Sequence, residues 1–339
     1  MKTQPASLLL LVLLSIVSVF TSCVEEPLSA KDLRPGRVGP VGEVVAVLTD
    51  AQWGSSPGEA MLKLFDEPYK RLPQFEPVMD VIAQNPEGFT KFYREFRTVI
   101  VGDIEDHIDY KDGGKVTVLY DKHANGQLYI KVGAKNEAAF AQTLEEKGEQ
   151  IRQLIHEEEI KRSQIDLRKH RSQKLSASVM KNMKVDMDMI NGYYLAETKR
   201  DWLWMKKGES QNNPSLAQYL YVYKVPYVDT AAFSMESLIA VRDSILEKHI
   251  VDPDGAFMAT ETRMATYVDT ISHNGKFATI MRGLWKIDKH FEGGPYVSLS
   301  FLDSTQTHII TVEGNVYAPH DDKREYIRRM EAVVRTAEG

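Results

Sequence analysis

A few short stretches of this chain carry residue types that could do chemistry. Gly54-Ser55-Ser56-Pro57-Gly58 fits G-x-S-x-G between an apolar run and a helix signal, the setting of a hydrolase nucleophile elbow. The oxyanion hole of such a site uses the backbone N–H of the residue after the nucleophile. Here that residue is Pro57, which has none. The same residues make a helix start, with Ser56 as N-cap, Pro57 at the first helical position and Glu59 at the third, and this reading is preferred. His156-Glu157 opens an H-E-x-x-H zinc motif, but Ile160 stands where the second histidine belongs. Glu105, Asp106, His107 and Asp109 crowd before Gly113-Gly114 without a ligand spacing, and read as a solvated loop. Asp252-Pro253-Asp254-Gly255 begins like a calcium loop. Its glycine comes too early and Ala256 stands where a third acid is needed, so it reads as a turn.

No P-loop, dinucleotide fingerprint or C-x-x-C is present. The expectation is therefore no catalytic set, no metal site and no cofactor, and a chain that is more a binder than an enzyme. The enzymatic alternative is a hydrolase whose residues converge from distant positions, such as His107, His123, Glu313 and His320. A third possibility is glycan binding on aromatic side chains. Trp202 and Trp204 share one strand face, as do Tyr219, Tyr221 and Tyr223 on the next expected strand. Paired in register, they would line one sheet face. Exposed, that face would stack on sugar rings; covered by a helix, it is cross-strand aromatic packing, the preferred reading.

The N-terminus supplies an address. Lys2, the apolar run Leu8 to Phe20 and the small residues Thr21 and Ser22 lead into Cys23. The run is too short to span a hydrocarbon core, which takes roughly 20 helical residues. It reads as a signal peptide over residues 1–22, ending in a bacterial lipobox whose cysteine is acylated. Cys23 is the only cysteine. Residues 23–40, rich in Pro, Gly and charge, read as a lipidated tether. Glu25 and Glu26 are candidates for a surface-export signal, with incidental linker acids as the alternative. The expected location is the cell envelope, at the outer membrane, facing either side. Net charge of −6 and a pI near 5.9 argue against nucleic acid as a partner. The expected partners are the membrane, through acylated Cys23, and an unknown envelope protein or glycan.

The elements that must position these residues follow from periodicity. Short apolar runs at residues 43–49, 78–83 and 98–101 read as strands, and residues 115–120 and 127–132 as a hairpin around Asn125-Gly126. Helices are expected from Ser56 to Tyr69 and from Pro86 to Phe96. The longest runs from Asn136 to Arg171, with Phe140, Leu144, Ile151 and Ile155 on its apolar stripe. Its charge run, including Glu157–Lys161 and Glu158–Arg162 at i,i+4, reads as a solvated face. Beyond it come strands at residues 185–190, 193–205 and 217–225, a helix from Ser234 to His249, and a hairpin around His273-Asn274-Gly275-Lys276. Strands at residues 297–302 and 308–316 and a closing helix from Asp321 to Arg335 complete the pattern. The fold class is α+β, mostly antiparallel sheets with packed helices, in two lobes joined by a long helix: residues 41–175 and 176–339.

The lipobox, L-P-Q-F-E-P at Leu72 to Pro77, R-G-L-W at Arg282 to Trp285, G-G-P-Y-V-S at Gly293 to Ser298 and E-G-N-V-Y-A-P at Glu313 to Pro319 occur together with Lys323-Arg324. In this set the chain resembles an uncharacterised lipoprotein family of the Bacteroidetes, a DUF4837-like domain of unknown function. The resemblance runs from about residue 40 to the C-terminus. It implies a bacterial group and no activity.

Overall fold

The computed structural model describes residues 33–106, 110, 113–208 and 215–339. The signal peptide, Cys23, Glu25 and Glu26 lie outside the described residues, as do His107 and Asp109. Among the described residues no helix is long and apolar enough to cross a membrane.

The first half builds a five-stranded sheet, in the order β2-β1-β3-β5-β4. Its strands are β1 (Glu43–Val47), β2 (Asp80–Gln84), β3 (Thr98–Ile104), β4 (Gly114–Tyr120) and β5 (Leu128–Ala134). Four of them run parallel, and only the β4–β5 pair is antiparallel. The expected antiparallel character therefore fails in this half. Helices α1 (Asp50–Trp53) and α2 (Ser56–Phe65) return the chain from β1 to β2, and a crossover of that kind gives a parallel pair. The cap of α2 is Ser55 instead of Ser56, and the helix stops at Phe65 instead of Tyr69. After Pro86 only one helical turn forms, α3 (Lys91–Arg94), because Asn85 takes the backbone N–H of Gly88 into a turn.

The long helix α4 spans Glu137–Lys169 and is capped by the Asn136 side chain on the N–H of Ala139. Its apolar stripe packs on the sheet through Phe140, Leu144, Ile151 and Ile155. The charge run is only partly solvated. Glu159 and Arg162 are fully buried with Arg97, the Glu159 carboxylate meeting the Arg97 guanidinium through two hydrogen bonds at 3.0 and 2.6 Å. Glu157 reaches across to Arg335, and Lys161 bonds Glu158, so neither expected i,i+4 pair forms.

The second half builds an eight-stranded sheet. Its strands are β6 (Tyr194–Lys199), β7 (Trp202–Lys207), β8 (Ala217–Pro226), β9 (Met258–Thr260), β10 (Tyr267–His273), β11 (Lys276–Ile287), β12 (Gly293–Leu302) and β13 (His308–Tyr317). The order is β10-β11-β12-β13-β8-β7-β6, with β9 on β11, and every pair is antiparallel. Asn274 and Gly275 both take positive φ, 51° and 75°, as the two-residue turn between β10 and β11 demands. The single strand expected at residues 193–205 is a hairpin, turned at Arg200-Asp201. Helix α5 (Gln173–Met183) follows α4, and residues 185–190 are irregular, tied by bridges to Arg171 and Glu338.

Two helix layers cover this sheet. On one face α5 and the closing helix α7 (Arg324–Val334) bury Val179, Met183, Ile327 and Met330 against Leu220, Val222, Val297 and Leu299. That core also takes in Leu72, Ile160 and Leu167, so it is continuous between the halves. On the other face lies α6 (Met235–His249), capped by the Ser234 side chain on Ser237. The fold is thus a mixed α+β architecture with the long helix bridging its halves.

Candidate functional site

Just beyond the C-terminal end of α6 the chain makes a tight turn through Asp252-Pro253-Asp254-Gly255. Gly255 has φ +79°, a conformation that favours glycine, and the turn closes with Gly255 N–H donating to the Asp252 carbonyl at 2.9 Å. The Ala256 N–H donates to Asp254 Oδ1 at 3.0 Å, and this bond holds the Asp254 carboxyl below its ordinary pKa. A second turn, between β11 and β12, lies beside the first and carries His290. The two are laced together. Asp288 exchanges hydrogen bonds with Phe257, accepting its N–H at Oδ1 (2.8 Å) and donating its own N–H to the Phe257 carbonyl (3.0 Å). Lys289 Nζ donates to the Gly255 carbonyl at 3.1 Å.

This lacing brings Asp252, Asp254 and His290 together. His290 Nε2 lies 3.0 Å from Asp254 Oδ2 and 4.0 Å from Asp252 Oδ2, and the ligand-capable atoms all fall within 4.8 Å of one another. A cation about 2.0–2.2 Å from each of three ligand atoms separates those atoms by roughly 3–4 Å, so the exposed side chains would have to close in slightly to hold one. Two carboxylates and an imidazole suit zinc or manganese better than calcium, which takes oxygen ligands. All three side chains face solvent, so a cation held there would keep coordination positions open.

The cluster corrects the expectation of a non-enzymatic module: ligand-capable groups from two separate turns do converge on a plausible assembled site. Reading Asp252–Gly255 as a turn named its backbone but missed the histidine that joins it. The signal was available only as two strand-linking turns, D-P-D-G and K-H-F-E-G-G, with nothing in the sequence to say that they touch.

The distant residues considered for a hydrolase do not form this site. Glu313 is fully buried and bound on both oxygens by Arg242, at 2.9 Å each, under the ring of Tyr296. His123 sits in the β4–β5 turn of the other half, its pKa lowered chiefly by burial. His320 follows β13 on the surface. His156 pairs with buried Glu331 on α7 at 3.1 Å.

The aromatic residues do pair in register, Trp202 with Tyr223 and Trp204 with Tyr221. Trp202, Tyr221 and Tyr223 are buried beneath α6, and Trp202 stacks on His249 with ring centroids 4.5 Å apart. Trp204 and Tyr219, at the other end of the row, are half-buried. Lys206 Nζ lies 4.0 Å over the Trp204 ring, and burial lowers its pKa against the pull of Asp252. Tyr219 is pushed up to about 12, mostly by burial, with Glu292 and Asp252 adding to it. The half-exposed end of the aromatic row therefore lies within electrostatic reach of Asp252.

No curated protein is significantly similar in sequence. Among solved structures, a variant of the protein Mog1 aligns over 45% of this chain and 89% of its own, at 10% identity and a TM-score of 0.28, a likeness too slight to carry any argument. Residues 37–168 match the family model of DUF8532 and residues 172–336 that of DUF4837, each a domain of unknown function, and the two matches meet at the end of α4.

Proposed function

We propose that the protein is a metal-dependent hydrolase centred on Asp252, Asp254 and His290, held at the cell envelope by acylated Cys23. The observation that carries this reading is the convergence of the three ligand-capable groups from two mutually pinned turns. A divalent cation supplies a water acidic enough to be ionised at neutral pH. Asp252 and Asp254 would provide the negative charge that attracts the cation, and His290 a ring nitrogen as the third donor. Asp288 and Lys289 keep the two turns in contact, so the ligands need little reorganisation on binding. Lys206 and Tyr219, within electrostatic reach of Asp252, are candidates for a cationic and an aromatic contact to substrate.

Titration calorimetry with zinc and manganese tests the reading, together with a panel of nitrophenyl esters and phosphodiesters. One-site binding weakened at least about tenfold in Asp254→Asn and His290→Ala is expected, with hydrolysis lost in both and in chelator. Metal binding that survives both substitutions would sink it, as would hydrolysis indifferent to chelator. For location, protease shaving of intact cells compares wild type with Glu25→Lys/Glu26→Lys. Cleavage of the wild type alone is the result expected of an export signal.

A second reading, sugar binding on the aromatic row, is favoured by the half-buried Trp204 and Tyr219. Quenching of tryptophan fluorescence by oligosaccharides that disappears in Trp204→Phe supports it; no quenching at millimolar sugar removes it.

A further inference from the structure

Beneath the N-terminal half of α6, one row across the large sheet consists of hydroxyl side chains. Thr279 on β11 pairs with Ser300 on β12, Ser300 with Thr311 on β13, and Thr311 with Tyr223 on β8. Register partners point to the same face, so all four hydroxyls lie under the helix. Ser300 Oγ and Thr311 Oγ1 are 2.8 Å apart. Thr279 Oγ1, beside them, is buried and has no hydrogen-bond partner among the described residues; nor has Ser298 Oγ in the next row. Thr279 and Ser298 are 3% and 1% exposed, too enclosed for bulk water to satisfy them.

Above Tyr223, Thr311 and Ser300 of this row is a cavity of about 250 Å³, which Thr279 and Ser298 do not line. Leu238 and Val241 of α6 form its roof, Met281 and Ile309 its walls, and Ser300 and Thr311 its floor. No charged side chain lines it. A dry cavity of about 150 Å³ accepts benzene, so this one has room for about ten non-hydrogen atoms. Apolar walls over a hydroxyl floor, with no charge to meet a charge, select a neutral molecule with an apolar body and one polar group.

We propose that the cavity between α6 and the sheet is a binding site for a neutral medium-chain amphiphile, an alcohol or acyl ester, whose oxygen lies on the Ser300–Thr311 floor. The site is separate from the cation cluster. Val241 and Asp252 are roughly 15 Å apart along the direction of α6 at helical rise, so this proposal stands whether or not a metal binds.

Met281 is in the wall and reports occupancy directly. In protein carrying ¹³C-labelled methionine methyls, titration with 1-octanol is expected to shift the Met281 resonance saturably. Met258, in the same helix-covered cluster but outside the cavity, stays in place, and octanoate at equal concentration shifts neither. Val241→Trp, which fills the space, abolishes the Met281 shift. Thr311→Val, which keeps the volume and removes a floor hydroxyl, weakens octanol about tenfold and covers the case in which the larger substitution does not fold. No saturable shift overturns the proposal. So does a shift shared with Met258, which marks solvent perturbation only, or an octanol affinity unchanged in Thr311→Val.

Discussion

On the face of the large sheet turned toward α5 and α7 stand Leu203, Leu220, Val222, Val297, Leu299 and Val312, all fully buried. On the face beneath α6, from the same strands, stand Trp202, Tyr221, Ser298, Thr311, Glu313 and Asn315, equally enclosed. The first face is a non-directional core, stabilised roughly in proportion to the apolar area removed from water, about 25 cal/mol per Å². The second is held by directional bonds: Arg242 on Glu313, Asn315 on Glu313, Thr260 on Asp243. It also leaves polar atoms unpaired and a cavity open, features a core built only for stability lacks. One sheet thus separates a face for holding the fold from a face equipped to recognise something.

That contrast can be broken most severely at Glu313. Glu313→Ala takes the two-bonded carboxylate from buried Arg242, leaving it the longer contact with Asp243 at 3.3 Å, and is expected to cost about 3–5 kcal/mol in denaturant unfolding. Replacing both residues with leucine should restore most of it. If the double variant is as unstable as the single, the pair is more than a matched charge. On the apolar face Leu299→Ala should cost about 2–5 kcal/mol through the cavity it creates, with no effect on ligand or metal. Impaired octanol or cation binding in that variant would show that the faces are not independent.

A smaller effect concerns acid. Burial alone would raise the Glu331 pKa, but Arg282 and His156 hold it well below the ordinary 4.5. A depressed carboxylate contributes stability that is present above 4.5 and is lost as pH falls through the lower folded value. Wild type should therefore lose stability on acidification below about pH 4.5, and Glu331→Gln should flatten that part of the curve. An unchanged slope in the variant points to other carboxylates. Smallest of all, Ser298→Ala removes an unpaired buried hydroxyl and should be neutral or stabilising by up to about 1 kcal/mol. A loss above that range would mean that the hydroxyl is already bonded, to water or ligand.

Much of this architecture could be read in the chain. The Asn274-Gly275 turn, the caps at Asn136 and Ser234, and the alternation that sets Trp202 and Trp204 opposite Tyr223 and Tyr221 are local features with local causes. What alternation does not encode is the cover. Identical spacing serves a solvated face and one under a helix, and only the position of α6 distinguishes them. The turn at Arg200-Asp201 carries neither glycine nor proline, so β6 and β7 read as one strand. The parallel sheet was hidden for a different reason: strand direction is set by which crossover the chain takes, a property of no single segment. Asp252, Asp254 and His290 combine both difficulties, since their chemistry is visible singly and their proximity is made by two turns meeting.

Glu76 gives the fold a temporal order. Its carboxylate, 5% exposed, receives the backbone N–H groups of Lys323 and Arg324, each at 2.8 Å, while Arg324 and Arg328 donate to the carbonyls of Pro77 and Val78. An acid at residue 76 therefore caps a helix whose N-cap, Lys323, lies 247 residues further along the chain. During vectorial synthesis the early half emerges with that acid and the Leu72 surface unmatched until α7 arrives. A chain cut before Arg324 is expected to keep an open, protease-accessible seam there.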